Sequence, residues 1–356
     1  MFGRPRISLK GSGGCVGLLF LFLFLNCSKG KEGLKAQFYR DALEKIPEKY
    51  RRVKILVLYN ELFQDEKGNI CDLRVNSSEG ALNAYREGID NPYFVGTIDN
   101  GVTPSAAEST CYLGVFSGWG ELEDSITSSK IEEFEELVDK GVAFVPFSNF
   151  WGENYASDRQ LNEIDHYGAI PMLRMMPWRN YWESGYDSLY SLQRIIDGEF
   201  DSLLLAWADV IKGYKKPVMI TFGVEMNGDW FPWSGVFQGG GRTEGYGDPT
   251  KPDGPERYVD AYRHIVDLFR ENGVTNAIWY FHVNHTSHPD ESWNEIENYY
   301  PGDDYVDWVG FSLYGKQYPD EEWLTFEEVM DPIYQTMTTL FPDKPLLIPE
   351  WGVREE

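Results

Sequence analysis

Two carboxylates stand where a sequence rarely leaves one without a use. The apolar run Val218-Met219-Ile220-Thr221-Phe222 reads as a short buried strand, and Gly223-Val224-Glu225-Met226-Asn227-Gly228-Asp229-Trp230-Phe231-Pro232-Trp233 follows it. Near the carboxyl end, Leu347-Ile348-Pro349-Glu350-Trp351-Gly352 repeats the arrangement: an apolar strand, a carboxylate, an aromatic, a glycine. A carboxylate at the end of such a strand is costly unless it is paired or employed. The plain alternative is a salt-bridged Glu225 among core tryptophans. The chemical reading is glycoside hydrolysis, in which one carboxyl stays protonated for the leaving oxygen and the other stays ionised to attack the anomeric carbon. Mutual repulsion and unequal burial push two such pKa values apart. A separation of about 5–5.5 Å predicts a covalent glycosyl-enzyme and retained configuration.

Aromatic and amide groups beside the two carboxylates have the character of a sugar site: flat faces for C–H surfaces, polar edges for hydroxyls. Trp178, Asn227, Trp230, Trp233, His282, Asn284 and Trp351 are the candidates. Trp178 has simple rim packing as its alternative, and His282 and Asn284 a structural loop role. His282, His285 and His288 could instead ligate a metal, but their spacing fits no common zinc pattern. Gly239-Gly240-Gly241-Arg242 follows no strand in a phosphate-cradle pattern and reads as a loop over the cleft.

The elements that must carry these groups alternate. Strands are expected at 112–116, 142–147, 169–174, 218–222, 277–281, 306–311 and 345–349, with helices over 131–138, 189–211 (broken near Asp197-Gly198), 258–269 and 326–340. Such alternation indicates a parallel sheet, and seven units without a linker indicate an α/β fold of the (β/α)8 TIM-barrel type. On this count Glu225 ends the fourth strand and Glu350 the seventh, both on the face where barrel chemistry sits. The sequence stops six residues after Glu350, so the barrel is expected to be truncated after its seventh strand.

Three segments together resemble glycoside hydrolase family 26, the β-mannanase family of a retaining barrel clan: Glu225 to Trp233, Tyr299-Tyr300-Pro301-Gly302-Asp303-Asp304-Tyr305-Val306-Asp307-Trp308-Val309-Gly310, and Pro349-Glu350-Trp351-Gly352. The resemblance implies that Glu225 is the acid/base, that Glu350 is the nucleophile, and that Tyr314 hydrogen-bonds the nucleophile. It also implies that Trp230 and Trp233 line sugar subsites. Two positions depart from the family pattern: Val224 stands where many members carry His, and Thr221 where many carry Arg. The expected activity is hydrolysis of a neutral β-linked polysaccharide, β-1,4-mannan foremost, with β-glucan or β-xylan as the alternatives on the same scaffold. A surface carbohydrate-binding lipoprotein without turnover is the rival of another class. No cofactor and no metal are expected, since a carboxylate pair supplies both proton and nucleophile.

Composition agrees with a sugar ligand. Aromatics make up 15% of the 356 residues, 12 of them tryptophan, which supplies stacking faces beyond the needs of a core. A formal net charge of -25 repels nucleic acid, anionic membranes and acidic polysaccharides. Arg4, Arg6 and Lys10 precede a short apolar run, Val16 to Leu25, and then Asn26-Cys27. This reads as an export leader over 1–26, with Cys27 as a lipidated amino terminus or, failing that, ordinary secretion. Residues 27–110 read as a tether and an amino-terminal segment without an assignable role, in which 53–59 reads as a strand, and 111–356 as the catalytic barrel. Cys71 and Cys111 could pair in an exported protein or remain buried thiols. The expected partners are a neutral glycan and a membrane reached through the lipid; the chain is expected to act as a monomer.

Overall fold

The computed structural model describes residues 33–65, 67–98, 109–120, 122–153, 156–179 and 185–355. The leader and Cys27 lie outside them. Eight strands form the barrel: β1 Val53–Tyr59, β2 Cys111–Phe116, β3 Phe144–Phe150, β4 Ile170–Met176, β5 Val218–Phe222, β6 Ala277–Asn284, β7 Trp308–Tyr314 and β8 Leu346–Gly352. Each pairs in parallel with its neighbours, and β1 pairs with both β8 (Val53 opposite Leu346) and β2 (Ile55 opposite Tyr112). The ring is therefore closed, and the expectation of a barrel cut off after seven strands is wrong. The strand that seemed absent is β1, which precedes the regular alternation and belongs to the barrel rather than to an amino-terminal appendage. Counted from β1, Glu225 follows the fifth strand and Glu350 lies on the eighth.

The helices make the same circuit: α1 Leu34–Glu48, α2 Glu79–Ile89, α3 Ser128–Val138, α4 Arg159–Tyr167, the short α5 Leu192–Ile196, α6 Asp201–Tyr214, α7 Asp253–Glu271 and α8 Phe326–Leu340. α1 packs against α2 and α8 and so covers the seam between β8 and β1. Its inward face is aromatic. Tyr39 meets Trp351 edge-on at 5.4 Å, and Phe38 meets Phe326 at 5.6 Å. Side-chain caps fix four helix starts: Ser78 accepts from Ala81 N, Thr127 from Lys130 N and Ser191 from Arg194 N, and Thr325 forms a reciprocal capping box with Glu328. The break expected near Asp197-Gly198 separates α5 from α6, where Gly198 takes a φ of 79°.

Alternation divides the strands between two cores. Ile55, Val57, Phe144, Met172, Met219, Tyr280 and Leu347 fill the lower barrel interior, while their neighbours pack outward against the helices. Cys71 and Cys111 are both buried and both free. The glycine run 239–241 packs near Trp293 and the start of α7 and does not line the cleft described below.

Candidate active site

Two local devices aim the carboxylates into the barrel mouth. On β8, Leu56 lies opposite Ile348 but Leu58 lies opposite Trp351, so β8 carries one extra residue there. This bulge falls at Pro349, which has no N–H to give to a ladder. Leu347 faces the interior below the bulge; above it Glu350 faces the mouth and Trp351 faces outward. Strict alternation would have turned Glu350 outward. After β5, Gly223 and Glu225 both take left-handed backbone, at φ 57° and 54°. That conformation is strained for Glu, and it persists because hydrogen bonds fix the turn on both sides: Gly223 N donates to Met175 O at 3.0 Å and Glu225 N to His282 O at 2.9 Å.

Both carboxylates line one cleft of about 1390 Å³, larger than the roughly 300–1,000 Å³ of small-ligand pockets. Their surroundings differ. Trp230 Nε1 donates to Glu225 Oε2 at 2.9 Å. Burial, and next the charge of Glu350, push the Glu225 carboxyl up to about 7. Glu350 is held by cations and donors. Arg174 Nη1 makes a close ion pair with Oε1, and the Tyr314 hydroxyl donates to Oε2 at 2.9 Å. Burial, with the charge of Glu123, leaves the Glu350 carboxyl above its ordinary value too, and Arg174 and Tyr314 limit that rise. Of the two, Glu350 is the one paired with a cation, which favours its ionised form.

Arg174 is the group that inspection of the sequence missed. It is 3% exposed and spans two carboxylates, with Nη2 at 2.5 Å from Glu123 Oε2 and Nε donating to Ser148 Oγ at 3.0 Å. Ser148 Oγ in turn donates to Glu123 at 2.6 Å. The signal was a lone cation inside the apolar strand Ile170-Pro171-Met172-Leu173-Arg174-Met175-Met176. Arg174 lies directly opposite Thr221 in the β4–β5 register. Its guanidinium thus reaches the cleft one strand away from position 221.

The expected sugar-contacting residues divide into two groups. Trp178, Trp230, Asn284 and Tyr314 line the cleft. Trp178 is braced edge-on by Phe231 at 5.4 Å and Trp233 at 5.8 Å. The other four do not reach it. Trp351 is fully buried against Tyr39 and Tyr85, because the bulge sends it outward. Trp233 lies beneath Phe231 and donates from Nε1 to Val224 O at 2.7 Å. Asn227 ties the β5 and β6 loops together, accepting from Asn284 N at 2.8 Å and donating to Asn284 O at 3.0 Å. His282 lies under the cleft floor with Nε2 2.8 Å from Ser312 Oγ, and burial keeps it neutral. His285 and His288 do line the cleft, and His288 Nε2 contacts Thr286 Oγ1 at 3.1 Å. Among the described residues no group of three or more His, Cys, Asp or Glu is placed to hold a metal ion.

Residues 187–341 match the model of Glycosyl hydrolase family 26. Over that stretch, which is less than half of its length, the chain is similar to glycoside hydrolase family 26. Glu225 falls inside the matched stretch and Glu350 beyond it, so the pairing of the two carboxylates stands on the geometry above. The chain is similar to Endoglucanase H of Acetivibrio thermocellus, 29% identical over 235 residues, covering 64% of this chain and 23% of that protein. It is also similar to a mannan endo-1,4-β-mannosidase A and B of Caldalkalibacillus mannanilyticus, 33% identical over 134 residues, covering 37% and 21%. The chain thus spans less than a quarter of the length of either curated relative. Among solved structures, the catalytic domain of a Bacillus sp. JAMB-750 family 26 endo-β-1,4-mannanase aligns with a TM-score of 0.49 at 18% identity, covering 91% of this chain and 75% of that one.

The raised Glu225 carboxyl carries a stability cost with a defined sign. Its folded value, about 7, lies above the ordinary 4.5. Its contribution to stability is therefore complete below pH 4.5 and is lost as pH rises through 7. Glu225→Gln removes the ionisable group. It is expected to unfold with the wild type near pH 4.5 but to be more stable at pH 8, by on the order of 3 kcal/mol. Denaturant unfolding at the two pH values checks this.

Proposed function

We propose that the chain is a retaining, endo-acting β-glycosidase for a neutral β-linked polysaccharide, β-1,4-mannan foremost. The observation that carries this is the unequal pair on one cleft: Glu225 buried beside Trp230, and Glu350 held by Arg174 and Tyr314. In this reading Glu225 protonates the glycosidic oxygen as Glu350 attacks the anomeric carbon, and the leaving sugar departs with Glu225's proton. Glu225, now ionised, takes a proton from water, whose oxygen attacks the same carbon and releases Glu350. Trp178 and Trp230 offer faces to the sugar rings, and Asn284 an amide to hydroxyls.

A neutral substrate is supported by the cleft's own charge. Among the described residues, eight carboxylates and two permanent cations line it, a field that disfavours acidic glycans. β-Glucan is the second reading, favoured by the likeness over 235 residues to a protein named an endoglucanase. Incubation with mannan, mixed-linkage β-glucan and xylan, followed by reducing-end counting and product sizing, separates these. Mannan is expected to give mixed oligosaccharides. Release from glucan alone moves the assignment to a glucanase, and release from none overturns hydrolysis as the function.

A further inference from the structure

The cleft does not end at the carboxylate pair. In the ring order, β8 bears Glu350, with β7 and β1 beside it and β4 across the barrel. Trp178 and Trp230 follow β4 and β5, so they stand across the mouth from Glu350. Beyond Glu350 the wall is built by two other segments. After β1 the chain forms an antiparallel hairpin, Leu62–Gln64 with Ile70–Asp72. After β7 it forms the loop 315–324. Leu62, Phe63, Gln64, Gln317, Tyr318 and Leu324 all line the cleft.

The two segments are joined. Phe63 packs edge-on to Tyr318 at 6.2 Å, and Lys67 pairs with Asp320 at 2.6 Å. Glu321 shapes the loop by accepting from Gln317 N at 2.6 Å and Tyr318 N at 2.9 Å. Phe63 and Tyr318 share a small apolar cluster with Cys71, Leu73 and Tyr314, so this wall is continuous with the tyrosine that holds Glu350. Leu62 and Leu324 are 45% and 40% exposed, two of the six large exposed apolar side chains among the described residues. Exposed apolar faces beside amide groups, lining the same cleft as the catalytic pair, have the chemistry of a sugar platform.

We propose that this hairpin and loop form a second saccharide platform, which takes sugar residues of the same glycan beyond those at the cleaved bond. Phe63, Tyr318, Leu62 and Leu324 supply the apolar contact, and Gln64 and Gln317 the hydroxyl contacts. The platform makes the chain prefer long glycans to short ones. It rests on the reading of the chain as a glycosidase, and it gives the amino-terminal hairpin a part in substrate selection.

The test is kcat/KM across a ladder of three to seven sugars of whichever glycan is cleaved, for the wild type and for Phe63→Ala/Tyr318→Ala. The loss is expected to grow with chain length, reaching roughly 10-fold on the longest substrate and appearing mainly in KM. The pair Phe63→Tyr/Tyr318→Phe should keep the wild-type dependence on length, which separates lost contact from lost folding. A loss equal at every length, or no loss, overturns the platform. A wild type that cleaves no glycan defeats the glycosidase reading instead. In that case calorimetry with mannan, glucan and xylan hexasaccharides still decides the platform: binding weakened in the double Ala variant supports it, and binding unchanged by those substitutions or absent altogether overturns it.

Discussion

Replacing Glu350 by Ala is expected to lower kcat on the polysaccharide by on the order of 10⁴-fold or more while leaving oligosaccharide binding largely intact. In the proposed mechanism the carboxylate attacks the anomeric carbon but contributes little to the apolar walls, so KM or Kd is expected to change far less than turnover. The variant also frees Arg174 Nη1 of its partner, yet Glu123 and Ser148 still engage the same guanidinium. The fold is therefore expected to survive, and calorimetry with a hexasaccharide checks that the site is still formed. Wild-type turnover in Glu350→Ala would remove the residue from the mechanism.

The second large effect belongs to Arg174. Arg174→Met leaves the buried Glu350 and the partly exposed Glu123 near one another without their shared cation. Breaking a buried pair by deleting one partner costs about 3–5 kcal/mol, because the remaining charge is uncompensated. The sign with pH follows from the loss of the group that draws Glu350 down. Burial and Glu123 then act unopposed by the guanidinium, and the Glu350 carboxyl rises further. A raised carboxyl favours the folded state only while protonated, so the deficit should be smaller at pH 5 than at pH 8. In the proposed mechanism ionised Glu350 is the attacking form, so the acid limb of kcat/KM should move to higher pH. Arg174→Lys keeps the charge but loses the fork that reaches Glu350, Glu123 and Ser148 together, and should recover only part of both effects. Unfolding curves at the two pH values and one pH–rate profile test this. An unmoved acid limb would mean that Arg174 does not act on the attacking group.

Much of this architecture was legible in the sequence, and the failures have physical causes. Apolar strands alternating with helices pointed to the barrel, and Glu225 and Glu350 stood out because each ends an apolar run. The closure did not stand out. β1 and α1 come before the regular alternation, and a ring may be entered at any strand, so counting from Cys111 left one unit unaccounted for. Trp351 and Glu350 are adjacent, and a sequence alone cannot say which faces the mouth when Pro349 introduces a bulge. Trp233, Asn227 and His282 have the residue types of a sugar site but serve the turn that aims Glu225, one layer below the surface. Arg174 did not stand out because nothing near it in the sequence shows what a lone cation in an apolar strand would pair with. Its partners come from β8 and from the loop before α3, remote along the chain and adjacent only in the closed ring.

The most direct measurement is covalent trapping. A 2-deoxy-2-fluoro glycoside with an activated leaving group, made from the sugar the enzyme accepts, should stop at the glycosyl-enzyme. Peptide mass spectrometry should then find the fluorosugar esterified to Glu350, and Glu225→Gln should still accept it because an activated leaving group needs no proton. A fluorosugar carried by Glu123 or any other side chain, or turnover with inverted configuration and no adduct, would contradict the account.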